Sequence, residues 1–226
     1  MQQAQIITNP SSILLLAGAL SACMTGSAAA QTILAGDMDN FGGTNDPGDT
    51  LVIRQPLADW LSRSGSGGNN DYYHNGDPMP FDADLFNEGP PDGPANWEFG
   101  YTFENLPTLH PGAKVRIHLK SLGDSYNDSI HLQYTGNGSS FSSLWGSSID
   151  TLYGGAWYGG ATAVFDIPLD NLPGGGNIIG NINAVGYLDV YVQDDTAVDW
   201  IELTIPAPGT ASLLGLGAVV AMRRRR

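Results

Sequence analysis

From residue 97 onward, apolar and polar side chains alternate in six separate stretches, and a chain patterned in this way is expected to fold as sheet. Trp97, Phe99, Tyr101 and Phe103 alternate with Glu98, Gly100, Thr102 and Glu104. Successive side chains of a strand point to opposite faces, so this spacing marks one buried and one open face. Val115, Ile117 and Leu119 repeat it against Lys114, Arg116, His118 and Lys120, and Ile130, Leu132 and Tyr134 against His131 and Gln133. Residues 161–167, 188–192 and 198–205 complete the set. Thirty glycines and fourteen prolines, among many Asn, Asp and Ser, supply the turns between such strands. An all-β, antiparallel β-sandwich of jelly-roll type is the expected fold. No internal repeat points to a propeller or a solenoid.

Upstream the pattern is weaker. Residues 32–34 are a short apolar start, 37–49 a loop, 51–54 a strand, and 56–63 a turn or two of helix. Residues 64–96 run through Ser-, Gly- and Pro-rich sequence without a period and are expected to form a long surface loop. Residues 177–184 are the one later stretch with helical spacing.

The two ends read as addresses. Residues 13–20 form an apolar run of signal-peptide length, followed by Ala28, Ala29 and Ala30, small residues that set a cleavage site before Gln31. Residues 1–30 are thus expected to be a signal peptide, and 31–205 the β-sandwich domain. Leu20-Ser21-Ala22-Cys23 resembles a lipobox, in which the cysteine carries lipid. At the other end, Pro206-Ala207-Pro208 precedes an apolar run, 211–222, and then Arg223, Arg224, Arg225 and Arg226. Twelve residues of helix span about 18 Å, short of the ~30 Å hydrocarbon layer, and the arginines would hold the end on the cytoplasmic side. Residues 206–226 resemble the PEP-CTERM sorting signal of exported bacterial proteins, with Ala207 where that signal carries Glu. The resemblance implies export, handling by an exosortase, a transient membrane contact through a short hydrophobic helix, and a final place in the envelope, at the cell surface or outside the cell.

Charge narrows the partners. Without both ends, five bases face all 23 acids, a net charge of −18. Such a surface repels nucleic acid and anionic lipid and attracts divalent cations. Cys23, the only cysteine, leaves with the signal peptide, so core packing or metal has to stabilise the domain.

Residues 194–201, with Asp194, Asp195 and Asp199, resemble the end of carbohydrate-binding jelly-roll modules, in which an Asp on the closing strand helps hold a structural calcium. With Asp37 and Asp39 beside the first strand, Asp195 and Asp199 form the implied calcium set. Neither Asp37-Met38-Asp39 nor Asp82-Ala83-Asp84 is an EF-hand loop, because Phe41 and Phe86 occupy the fifth position. Asn127 and Asp128, in a polar turn between strands, offer oxygens to a cation or a sugar. A symmetric turn there would set His118 and His131 opposite each other on neighbouring strands, without a third metal ligand. Lys114, Arg116 and Lys120 form a basic stripe suited to an acidic loop or partner. Trp145, Tyr153, Trp157 and Tyr158 lie in Ser/Gly-rich sequence, where an exposed ring can stack on a sugar; Trp157 and Tyr158 are the aromatic candidates, whereas Trp97, Phe99, Phe103 and Trp200 read as core. No nucleophile motif is present.

Residues 97–205 also resemble a module that recurs in exported proteins with such tails and carries no established activity. The expected function is a non-catalytic, exported module that binds glycan or another extracellular polymer, with calcium as its one expected cofactor. A purely structural envelope protein and a small secreted carboxylate-dependent hydrolase are the alternatives.

Overall fold

The computed structural model describes residues 29–42, 50–61, 81–82, 98–121, 128–137, 140–193 and 196–207, which belong to one compact unit, Ala29–Gly209. Ala28, Cys23, Asn127, Asp195, Pro208, Arg223–Arg226 and most of 64–96 lie outside the described residues. Among the described residues eight strands form two sheets: β1 (Gln31–Gly36), β2 (Glu98–Phe103), β3 (Lys114–Ser121), β4 (Ser129–Tyr134), β5 (Ser143–Ser148), β6 (Thr162–Pro168), β7 (Leu188–Gln193) and β8 (Thr196–Ile205). Their orders are β1-β8-β3-β6 and β2-β7-β4-β5, every pairing antiparallel. Ile117, Ile201 and Leu203 of the first sheet and Ile130, Val190 and Val192 of the second share one apolar core, so the architecture is a β-sandwich. Among the described residues no helix is long and apolar enough to cross a membrane.

Among the described residues three short helices punctuate the strands: α1 (Gln55–Leu61), α2 (Ile149–Tyr153) and α3 (Ile179–Val185). Ser148 caps α2 by accepting from the Thr151 N–H, and Gly154 ends it in the left-handed conformation. α3 falls where helical spacing was read. α1 explains why β2 and β7 are buried on both faces although their sequence alternates. Leu57, Trp60 and Leu61 lie on the outer face of the second sheet with Tyr134 and Tyr191. Gly100 permits the approach, since a Cβ there would stand 2.5 Å from Leu61 Cδ1.

Several expectations are corrected. Residues 51–54 are not a strand; they run along the edge of β2, with the Thr102 N–H on the Val52 carbonyl and the Arg54 N–H on Thr102 Oγ1. β3 and β4 are not neighbours. They stand in different sheets, so His118 and His131 lie on opposite outer faces of the sandwich and cannot share a metal. Two residues of the basic stripe are paired within their own sheet, Lys114 with Asp166 and Arg116 with Asp166 and Glu202, while Lys120 Nζ lies 5.5 Å from the Phe41 ring centroid. β5, with one apolar residue facing in, carries no alternation to read. Its Trp145 is buried and donates its indole N–H to the Pro173 carbonyl. Trp200 is buried as expected, but on the outer face, with the Arg116 guanidinium 5.5 Å from its ring centroid.

Candidate functional site

Pairing of the first and last strands gathers carboxylates from three separate parts of the chain. Gly36 ends β1 opposite Trp200 and takes φ +73°. A Cβ at Gly36 would lie 2.3 Å from the Asp199 carbonyl oxygen, so only glycine lets the chain turn here and bring Asp37 and Asp39 over β8. Asp199 owes its direction to a bulge. His118 pairs with Trp200 and Leu119 with Val198, which leaves Asp199 as the extra residue of β8. The inserted residue breaks the alternation and lets Asp199 meet the outward-facing His118 Nδ1. Asp82 comes from a short turn bound to the same place by its N–H on the Val198 carbonyl, at 2.8 Å.

Each of Asp37, Asp39, Asp82 and Asp199 offers one oxygen, and these oxygens lie within 4.8 Å of one another. Asp82 is 5 % and Asp199 1 % exposed. Three of the five non-glycine residues with positive φ among those described, Asn40, Phe41 and Asp82, are at this place. Such backbone costs on the order of 1 kcal/mol or more per residue and is retained where the surroundings demand it. Phe41 packs on the His118 ring at 4.9 Å between centroids, and its N–H points at Asp199 Oδ1. Oxygen donors alone suit a hard cation. Calcium holds its ligands at about 2.3–2.6 Å, so opposite oxygens stand roughly 5 Å apart, whereas magnesium draws them to about 4 Å. Oxygens all within 4.8 Å of one another leave room for a hard divalent cation between them. Three of these four carboxylates, Asp37, Asp39 and Asp199, belong to the set read from the sequence; Asp82, noted there only because its loop is not an EF-hand, does not.

The aromatic pair is split. Trp157 is not offered to solvent: it is 1 % exposed and donates its indole N–H to Thr196 Oγ1 at 2.9 Å. The Thr196 hydroxyl in turn donates to Asp128 Oδ2. That chain also corrects Asp128, which is buried beneath the loop and occupied by Thr196. Tyr158, the next residue, is 58 % exposed, and Tyr153 is exposed too, its ring edge-on to Trp157 at 5.1 Å. The Trp157 N–H is held by Asp150 Oδ1 at 2.6 Å. The result is a loop with a fixed base and two open phenol rings.

One serine–histidine contact was not foreseen. Ser129 Oγ lies 3.0 Å from His131 Nε2, and Ser143 Oγ 3.0 Å from Nδ1. Burial lowers the His131 pKa to about 4, because a charged imidazole would lose its water. A base that weak removes a hydroxyl proton poorly. It does make stability depend on pH. Above pH 6.5 the ring is neutral, folded or unfolded; between 6.5 and about 4 only the unfolded chain takes the proton, so stability falls as pH falls through that window. The full loss is on the order of 3 kcal/mol. His131→Gln removes it, so urea unfolding of both proteins at pH 7 and pH 4.5 is expected to show a smaller acid loss in the variant. Equal losses would refute a buried neutral His131.

Comparison with protein family profiles, with curated proteins and with solved structures returns no match.

Proposed function

We propose that this chain is an exported envelope or matrix protein whose sandwich, residues 31–205, binds glycan or another extracellular polymer without catalysing a reaction on it. Export is carried by residues 1–30, with cleavage between Ala30 and Gln31, and sorting by the PEP-CTERM-like tail, 206–226. The described residues near those ends fit the reading: Ala29 and Ala30 are exposed, Gln31 opens β1, and Pro206 follows β8 directly. The strand orders β1-β8-β3-β6 and β2-β7-β4-β5 support a jelly roll.

The observation that carries polymer binding is Tyr158, open to solvent on a loop whose base is fixed by Trp157, Thr196 and Asp150. An aromatic face held in place loses little entropy when a sugar ring stacks on it. Polysaccharide pull-down with the exported protein is the test. Tyr158→Ala is expected to weaken retention about tenfold, the worth of one aromatic contact of roughly 1.4 kcal/mol. Retention unchanged by the substitution removes Tyr158 from the site, and retention by no polymer favours the purely structural reading.

Calcium is the cofactor of this proposal, held by Asp37, Asp39, Asp82 and Asp199, with His118 orienting Asp199. It would tie β1 and the 81–82 turn to β8. A ligand that binds only the folded chain stabilises it by about 2.7 kcal/mol at a hundredfold excess over Kd. Thermal melts with calcium and with chelator are therefore expected to differ by several degrees, and the difference is expected to vanish in Asp82→Asn. Coincident melts of the native protein would dismiss the ion.

A further inference from the structure

Between Lys120 and Arg223 the chain holds ten Asp and Glu residues and no Lys or Arg. That stretch includes β4 to β8, α2 and the loop that carries Tyr153 and Tyr158. Its one histidine, His131, is uncharged near neutral pH, because burial lowers its pKa to about 4. The bases among the described residues are engaged elsewhere: Arg54 with Asp189, Lys114 and Arg116 with acids of β6 and β8, and Lys120 over the Phe41 ring. Arg63 lies outside the described residues. Of residues 149–160 only Asp150 is charged. It is half-buried, and its Oδ1 takes the Trp157 N–H, which fixes the carboxylate beside the backbone that leads into Tyr158. Gly155, between the two tyrosines, is glycine without a local reason. It is not among the positive-φ residues, and a Cβ there would meet nothing within 4 Å. Its bare backbone leaves open space in which another molecule can come close.

We propose that the Tyr153–Tyr158 loop selects a polysaccharide of amino sugars with free ammonium groups over neutral and uronic-acid polymers. This rests on the polymer-binding reading of Tyr158 and names the class of polymer. Stacking alone cannot choose, because most sugar rings offer a phenol the same apolar face. Charge can. The face of an aromatic ring is electron-rich and attracts an ammonium group, which the Asp150 carboxylate attracts as well. A uronic-acid polymer would bring its carboxylates against the same ring faces, against Asp150 and against a domain of net charge −18. An N-acetylated polymer keeps the stacking and gains nothing from the charge. Complementarity of this kind sets the choice of partner more than the raw affinity.

Calorimetric titration of the exported protein with glucosamine, N-acetylglucosamine and galacturonate oligomers of equal length is the test, at about pH 6 and low salt. The glucosamine oligomer is expected to bind about tenfold more tightly than its N-acetylated counterpart, and the galacturonate oligomer more weakly than either. So acidic a protein draws any polycation to some degree, and the variants therefore locate the preference. Asp150→Asn keeps the acceptor for the Trp157 N–H and removes one charge; it is expected to cut the preference to about threefold. Glu104→Gln, an equal change of charge at an exposed residue just after β2, is expected to leave it intact. Gly155→Lys puts a cation on the loop where a side chain has room, and is expected to abolish the preference even if Asp150→Asn fails to fold. An N-acetylated or uronate oligomer bound as tightly as the glucosamine one overturns the ammonium choice. So does a preference that survives Gly155→Lys, or that Glu104→Gln lowers as far as Asp150→Asn. Those results leave the polymer-binding reading standing, provided Tyr158→Ala still weakens whatever binds. Binding that Tyr158→Ala does not change, or no binding by any oligomer, overturns both.

Discussion

Asp189→Ala is expected to lower stability by about 3–5 kcal/mol, the loss typical when one member of a buried ion pair is removed. Asp189 is 1 % exposed on β7, and it accepts from Arg54 Nη2 at 2.6 Å, Arg54 Nε at 3.4 Å and Thr102 Oγ1 at 2.8 Å. Burial by itself would lower the Arg54 pKa, but the hydrogen bond and charge of Asp189 more than offset it, so the pKa is raised and the guanidinium stays charged. Arg54 also lies over the Tyr187 ring, 4.3 Å from its centroid. Removing the carboxylate strands a cation against that ring and frees a buried threonine hydroxyl. The side chain of Arg54 is 19 % exposed and can reach water, which holds the loss near the lower end of the range. Asp189→Asn keeps an acceptor for Thr102 and is expected to cost less than half as much. The loss should also be local at first. Arg54 introduces α1, accepting from the N–H groups of Leu57 and Ala58, so hydrogen exchange at 55–61 is expected to quicken more than exchange in β3 or β8. A variant as stable as the native protein, or one that quickens all amides alike, would show that the pair does not hold α1 on the sheet.

How much of this was legible in the sequence depends on whether the signal was local. Strands β2, β3, β4, β6, β7 and β8 announce themselves because each turns an apolar face to the common core, and alternation survives in any window of six residues. β5 does not, because its two apolar residues, Leu144 and Trp145, are adjacent and so point to opposite faces, with only serines and Gly146 around them. The double burial of β2 and β7 was equally hidden, since Gly100 speaks only of a close approach and not of what approaches. The acidic site shows the same division. Asp37, Asp39 and Asp199 were linked by the expectation that first and last strands are adjacent, and β1 does pair with β8. Asp82 belongs to neither strand; its N–H binds the Val198 carbonyl and its neighbour Phe81 is buried in the core against Phe99, contacts that no spacing predicts. The bulge that redirects Asp199 is a property of two strands in register, and a single sequence contains no register.

Trp157→Ala is expected to cost about 3–5 kcal/mol, as large aromatic truncations in well-packed cores do. Ser/Gly-rich surroundings suggested an indole reaching solvent, but the same glycines let the chain fold back, and Gly159 and Gly160 both take positive φ immediately after the ring is buried. The indole packs edge-on against Phe165 at 5.7 Å and against Tyr153 at 5.1 Å. Its truncation leaves a void and takes the donor from Thr196 Oγ1, which is wholly buried. Trp157→Phe separates the two losses: it keeps most of the volume and drops only the N–H, so about 1–2 kcal/mol is expected. The consequence for binding follows from position. Trp157 touches no ligand, yet its removal unfastens the base on which Tyr153 and Tyr158 stand, and polymer retention is expected to fall in Trp157→Ala even at temperatures where the domain stays folded. Retention should recover in Trp157→Phe, because an aromatic ring again supports Tyr153. A Trp157→Ala protein that melts like the native one would place the indole outside the core, and one that melts early but retains polymer fully would detach the loop from binding.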